Sequence, residues 1–255
     1  MTALAVAGTL VLLVIALVVG QTPWARRRPG RAIALAGGIV VAVLAVAVGE
    51  LVDQVVDQDG LTRLDGPVWG WFVSHRDPAE TTLATGVSDA GATGVVATLA
   101  MLVAVVLFVR RHRAEAVLIA VVVGGSAILV VGVKDLVGRP RPPVALRLAV
   151  ETNASFPSGH ALVAAAVLGV LAVLAAPRLR GPLRALVAAG TVLIVLAIGL
   201  SRLYLAVHWA SDVLTGWLLG VLWLTTCLVV HRVVAVRQAH PRHAHLRESS
   251  LDTDV

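Results

Sequence analysis

The chain has 255 residues, 58% of them hydrophobic and only 14% charged, with a formal net charge of +6 and a mean hydropathy of +0.90. A soluble domain carries about 25% charged residues, so composition excludes a water-soluble globular protein. The positive balance reads as membrane orientation rather than nucleic-acid binding.

Apolar blocks long enough to cross a bilayer, roughly 20 residues each, recur seven times: 3–20, 33–52, 90–109, 114–133, 160–176, 185–200 and 213–230. They predict an all-α fold, a polytopic transmembrane helical bundle. The first block has no charge before it and Arg26, Arg27, Arg28 and Arg31 after it, the reverse of a secretory signal. It is expected to stay as a helix with its N-terminus outside. The stretch 53–89 then reads as an acidic outer loop holding Arg63, Arg76, Trp69 and Trp71. Trp24 and Trp209 lie near block ends, and all of these tryptophans suit interfacial anchoring. Arg110, Arg111 and Arg113 follow the third block, and Arg178, Arg180 and Arg184 the fifth. Arg232, Arg237, Arg242 and Arg247 follow the seventh. These alternate connections hold 14 of the 21 basic residues, which marks them as cytoplasmic. Cys227, the single cysteine, sits in the last block as a small core- or lipid-facing side chain. Gly216 and Gly220 form a GxxxG in the same block, consistent with close helix packing. The tail with His240, His243 and His245 reads as disordered and polar rather than metal-binding.

Three regions follow from this pass: 1–32, an N-terminal transmembrane helix and basic loop; 33–230, a membrane core; 231–255, a basic cytoplasmic tail. The expected location is the plasma membrane, multi-pass, with the C-terminus cytoplasmic. Lys134, Arg139, Arg141, Arg147 and Arg202 fall on the opposite, outer side, where the orientation rule disfavours positive charge. Something other than topology must hold them there, and an anionic ligand at the membrane surface is the simplest candidate.

Two further polar clusters share that face. In "SFPSGH", residues 155–160, Pro157 suits a first helical turn and Ser155 a cap. Ser158 and Gly159 would then offer free amides at a helix N-terminus, an anion-binding arrangement, with His160 beside them. In "SRLYLAVHWASD", residues 201–212, His208 and Asp212 are spaced for one helix face, so the carboxylate can fix the imidazole tautomer. Arg202 adds a fork that matches phosphate oxygens. Singly each cluster is weak; together they hold cations, two histidines, a carboxylate and a helix end, the parts for phosphoryl transfer without a metal.

These residues carry a resemblance. Lys134 with Arg141 and Pro142 fits KX6RP, residues 157–160 fit PSGH, and Ser201, Arg202, His208 and Asp212 fit SRX5HX3D. The three blocks together resemble the type 2 phosphatidic acid phosphatase superfamily, which includes vanadium haloperoxidases and bacterial acid phosphatases. The resemblance covers the last six apolar blocks and implies a six-helix core, with 3–20 as an addition. It implies that His208 is the nucleophile and forms a phosphohistidine, that Asp212 orients it, and that His160 protonates the leaving oxygen and then activates water. Lys134, Arg141 and Arg202 would bind the phosphoryl oxygens with Ser158 and the Gly159 amide. Arg139 lies outside the defining positions and is expected to stand behind them as a supporting cation. No metal or other cofactor is implied.

The expected activity is an integral membrane phosphatase acting on a lipid phosphate or diphosphate at the outer face, with undecaprenyl diphosphate, phosphatidic acid and phosphatidylglycerophosphate as candidates. Its partners are the lipid substrate and the membrane, not nucleic acid. A lipid phosphotransferase would use the same residues. A non-enzymatic carrier of anionic lipids is disfavoured because the seven blocks hold no Lys or Arg. A vanadate-dependent peroxidase is disfavoured because those relatives are soluble.

Overall fold

A computed structural model describes residues 29–239. The predicted helix 3–20, Trp24, Arg26, Arg27, Arg28 and the histidines of the tail lie outside the described residues. Eight helices follow in order: α1 (Pro29–Asp57), α2 (Asp65–Ser74), α3 (Pro78–Ala90), α4 (Thr93–Val109), α5 (Arg113–Val137), α6 (Gly159–Arg178), α7 (Gly181–Tyr204) and α8 (Ala210–Ala239). All regular structure among the described residues is helical. Within α6 the turn Ala164–Leu168 is π-helical. The described residues divide into two compact units, one of Leu44–Leu224 and one that joins the residues up to Val43 with those from Thr225 onward.

Five helices, α1 and α5 to α8, are long and apolar enough to cross a membrane. The pair α3 and α4, bent by 44° at a short break, makes a sixth span if counted as one. Large apolar side chains such as Leu102, Ile128 and Leu193 are exposed on these helices, as a lipid-facing surface requires. The chain is thus the multi-pass helical membrane protein that the apolar blocks predict, and each of the six blocks after the first lies on a helix.

The stretch 53–89 differs from expectation. It is not an extended loop but holds a short 3-10 turn, α2 and α3. The cause is local. Asp77 caps α3, its side chain accepting from the amides of Ala79 at 2.8 Å and Glu80 at 3.4 Å, and Pro78 opens the first turn. Helices of 10 and 13 residues are too short to stand out at bilayer length. The start of α3 is fixed to the end of α7, since the Asp77 amide donates to the Tyr204 hydroxyl at 2.9 Å.

In the smaller unit, the first part of α1 meets the last part of α8. A Cβ on Gly37 would come within 2.3 Å of Val229. In the larger unit α6 packs against α4, α5 and α7. The GxxxG of α8 lies against the first turns of α6. A Cβ on Gly216 would stand 2.7 Å from the Ser158 carbonyl oxygen, and one on Gly220 would stand 2.5 Å from that of Leu162. The close packing expected of this motif is therefore directed at the helix that carries His160. Beneath the join, Ala161, Leu203 and Val213 are buried together, with Val68, Phe72 and Trp217 packed on them.

Candidate active site

The three polar clusters meet at one end of the larger unit. Lys134 lies in the last turn of α5, His160 in the first turn of α6, Arg202 in the last turn of α7, and Asp212 in the first turn of α8. Arg141 comes from the connection after α5, and His208 from the turn between α7 and α8. That turn is tight: Ala206 has φ +54°, in the left-handed region. The Arg141 guanidinium closes it by donating to the Val207 carbonyl at 2.7 Å.

His208 is 2% exposed and Asp212 not at all. Nδ1 of His208 lies 3.3 Å from Asp212 Oδ2, and Nε2 lies 3.1 Å from an Arg141 terminal nitrogen. A guanidinium only donates, so Nε2 accepts. The proton then sits on Nδ1 and is donated to Asp212. This tautomer leaves the Nε2 lone pair facing the cations. Burial lowers the His208 imidazole from 6.5 to about 4, with the Asp212 hydrogen bond and charge opposing and Arg141 and Arg202 adding to the effect. The ring is therefore neutral at neutral pH. Burial likewise holds the Arg141 guanidinium below its ordinary value.

A carboxylate absent from the sequence reading, Glu151, spans two of the cations. It accepts from Arg202 and, at 3.3 Å, from Arg141. Asn153 is a second addition: its backbone carbonyl accepts from Arg141 at 2.8 Å and its side-chain oxygen at 2.6 Å. Lys134 donates to the Ala154 carbonyl. Ser88 of α3 accepts from Arg202, so the supposed outer loop furnishes part of the wall. Arg202 is 3% exposed, and among the described residues its buried Nε–H has no acceptor.

The α6 end departs from expectation in detail. Ser158, not Ser155, caps the helix, its hydroxyl accepting from the Ala161 amide at 3.5 Å. Pro157 follows a cis peptide outside the helix, which opens at Gly159. Ser155 instead ties the first motif to the second, its amide donating to the Arg139 carbonyl at 2.9 Å and its hydroxyl to the Pro140 carbonyl at 3.2 Å. Ser158 offers no free amide, because that N–H donates to the Asp212 carbonyl at 3.0 Å. Of the two expected donors the Gly159 amide remains. His160 is partly exposed and within electrostatic reach of Arg202, His208, Arg141 and Lys134.

Arg139 does stand behind the cradle. It donates to Asp212 Oδ1 at 2.6 Å and to Asp65 Oδ2 at 2.7 Å. Asp65 and Ser211, neither singled out in the sequence, complete this buried group: the Ser211 hydroxyl donates to Asp65 at 2.6 Å. Arg147 donates to the Pro142 carbonyl at 2.7 Å and lies within electrostatic reach of Arg141. An apolar cleft of about 290 Å³ lies one turn below Lys134 and His160, lined by Thr93, Ala97, Ala127, Val130, Val131 and Val163.

Comparison with known proteins gives one consistent answer. A family model described as PAP2 superfamily matches residues 115–235. Phosphatidylglycerophosphatase B of Bacillus subtilis (strain 168) is 32% identical over 151 residues, spanning 58% of this chain and 73% of that protein. The crystal structure of a transmembrane PAP2-type phosphatidylglycerolphosphate phosphatase from Bacillus subtilis superposes with a TM-score of 0.67 at 28% identity, covering 73% of this chain and 93% of the other. The crystal structure of Aquifex aeolicus LpxE shares the fold, with a TM-score of 0.52 at 24% identity over 65% of this chain and 94% of that one.

Proposed function

Since the chain belongs to the PAP2 superfamily and is a multi-pass membrane phosphatase of that kind, we propose that it hydrolyses a lipid phosphate or diphosphate at the outer membrane face through a phosphohistidine. The carrying observation is the state of His208: neutral, with Nδ1–H donated to Asp212, the Nε2 lone pair directed at Arg141, and Arg202 within electrostatic reach.

Nε2 attacks phosphorus while the bond from phosphorus to the lipid oxygen breaks, and His160 gives that oxygen a proton. His160 then takes a proton from water, whose oxygen attacks phosphorus as the P–N bond breaks. Phosphate and free His208 result. Lys134, Arg141 and Arg202 stabilise the charge on the non-bridging oxygens. The Gly159 amide and the Ser158 hydroxyl proton add neutral donors. A phosphoryl oxygen would satisfy the Nε–H of Arg202, a buried donor costly to leave unpaired. Glu151 now lies across two of these cations and competes with any substrate anion. The apolar cleft beneath Lys134 suits the first carbons of a lipid chain.

Of the three candidates, phosphatidylglycerophosphate is the one the relatives' names point to, beside phosphatidic acid and undecaprenyl diphosphate. The test is phosphate release from these three lipids by the purified full-length protein in detergent, with chelator present. Release that His208→Ala removes supports the reading. No release from any lipid, or wild-type rates in His208→Ala, refutes it. Labelling of single cysteines introduced at the exposed positions Val144 and Val150 of a Cys227→Ser protein in intact cells tests the outward orientation. Protection of both positions from an impermeant reagent, with labelling after permeabilisation, overturns it.

A further inference from the structure

Asp65 opens α2 and is its only charged residue. It is 4% exposed, and every polar atom of its carboxylate is engaged. Oδ1 accepts from the Ser211 amide at 2.8 Å. Oδ2 accepts from the Ser211 hydroxyl at 2.6 Å and from Arg139 at 2.7 Å. The other arm of Arg139 donates to Asp212 at 2.6 Å and to the Ser211 hydroxyl at 2.8 Å. Asp212 in turn accepts from His208 and from the Trp209 amide at 2.9 Å. One buried guanidinium is thus shared between two buried carboxylates, with His208 at the far end of the chain of bonds.

The sharing has an electrostatic consequence. Paired with Asp212 alone, Arg139 would cancel the carboxylate that faces the imidazole. Shared with Asp65, the three groups carry a net charge of one negative unit behind His208. When Nε2 bonds to phosphorus the ring becomes cationic, and a negative charge behind Nδ1–H stabilises that state. A salt bridge needed only for folding would not require a second carboxylate on the same cation. Burying an extra charge is costly unless its partners repay it.

We propose that Asp65 is a positioning residue for phosphoryl transfer: it holds one arm of Arg139, so that Asp212 keeps its orientation and a net negative field behind His208. The inference rests on the reading of His208 as nucleophile. The other charged groups that act on the ring are Arg141 at Nε2 and Arg202, while Lys134 lies within reach of His160 across the cradle. Arg141 and Arg202 lower its basicity, and Asp212, with Asp65 behind it through Arg139, is the opposing influence.

Full-length protein in detergent, assayed on the best lipid of the panel, provides the test. Asp65→Asn is expected to lower kcat about 10- to 100-fold, as loss of an outer partner of an active group does, with KM within about twofold. Removing a negative charge lowers the basicity of His208, so the acid limb of the pH profile moves to lower pH. Asp65→Glu keeps the charge and is expected to leave that limb in place and to recover most of kcat. In an Arg139→Gln background, Asp65→Asn is expected to cost under about threefold, because the path through Arg139 is already cut. Asp65→Asn protein that melts early but keeps wild-type kcat and acid limb overturns the proposal, as do costs that add in the double variant. If Asp65→Asn does not fold, Asp65→Glu decides: a displaced acid limb overturns the proposal and an unmoved one supports it. Failure of the underlying reading is distinct, since it shows as an active His208→Ala or an inactive wild type.

Discussion

Gly220→Ala is the sharpest perturbation of the helix join that sets the site. The new Cβ would stand 2.5 Å from the Leu162 carbonyl oxygen and 2.9 Å from the Ala165 Cβ, where contacts under 3.0 Å are essentially never made. The first obstacle is backbone, so no side-chain rotation relieves it, and α8 must retreat from α6 by at least about 0.5 Å in a close-packed interior. Overpacking of this kind costs about 1–3 kcal/mol. On a domain this size that is a fall in melting temperature of about 2–10 °C. Asp212 rides on α8 and His160 on α6, so the retreat opens the distance between attacking and protonating groups. A misplacement of about 1 Å costs about 10²-fold in rate, which scales to about tenfold for half that displacement. The assay is phosphate release by purified protein, with melting followed on the same sample. Gly190→Ala, where a Cβ meets nothing within 4 Å, is the control and should match wild type within about twofold in kcat. Wild-type melting and turnover in Gly220→Ala would refute the claim that the GxxxG positions the two halves of the site.

Other outcomes follow from the same geometry. His208→Ala should abolish turnover, and Arg202→Ala should lower it about 10²- to 10³-fold, the cost of one oxyanion donor; release of phosphate from a single-turnover mixture measures both. Because His208 is held near 4 rather than 6.5, the acid limb of kcat/KM should lie clearly below pH 6.5, and a limb at the ordinary histidine value would contradict the burial argument. The unfolded chain takes up a proton on His208 below pH 6.5 while the native chain does not until about pH 4. Stability should therefore fall with decreasing pH across that window, by roughly 3 kcal/mol, and His208→Gln should show a shallower fall in detergent melting curves. Glu151→Gln removes the carboxylate that competes for Arg141 and Arg202. Inorganic phosphate should then inhibit at about three- to tenfold lower concentration, measured by competition against the lipid substrate.

By itself the sequence determined the helical membrane class, five of the spans with the apolar part of a sixth, and the residues of the three motifs. Apolar runs of bilayer length have one stable solution in lipid, a helix that satisfies its own backbone, and cations stranded in such a chain stand out against their surroundings. The tertiary structure alone decided how those motifs are supported. Asp65, Ser88 and Ser211 reach Arg139 or Arg202 across 72 to 114 positions of sequence, and no local spacing announces a pairing made by separate helices. Glu151 and Asn153 sat in plain view between two motifs, yet a carboxylate beside a supposed anion site reads as misplaced until its two guanidinium partners are seen. The same limit explains α2 and α3: at 10 and 13 residues they are too short to mark a span, and what holds them is the cap at Asp77, the Tyr204 hydroxyl and the buried Asp65 group. Ser155 and Ser158 exchanged their expected roles for a related reason. Both are good caps in isolation, and the choice fell to the one whose amide the α8 backbone already held.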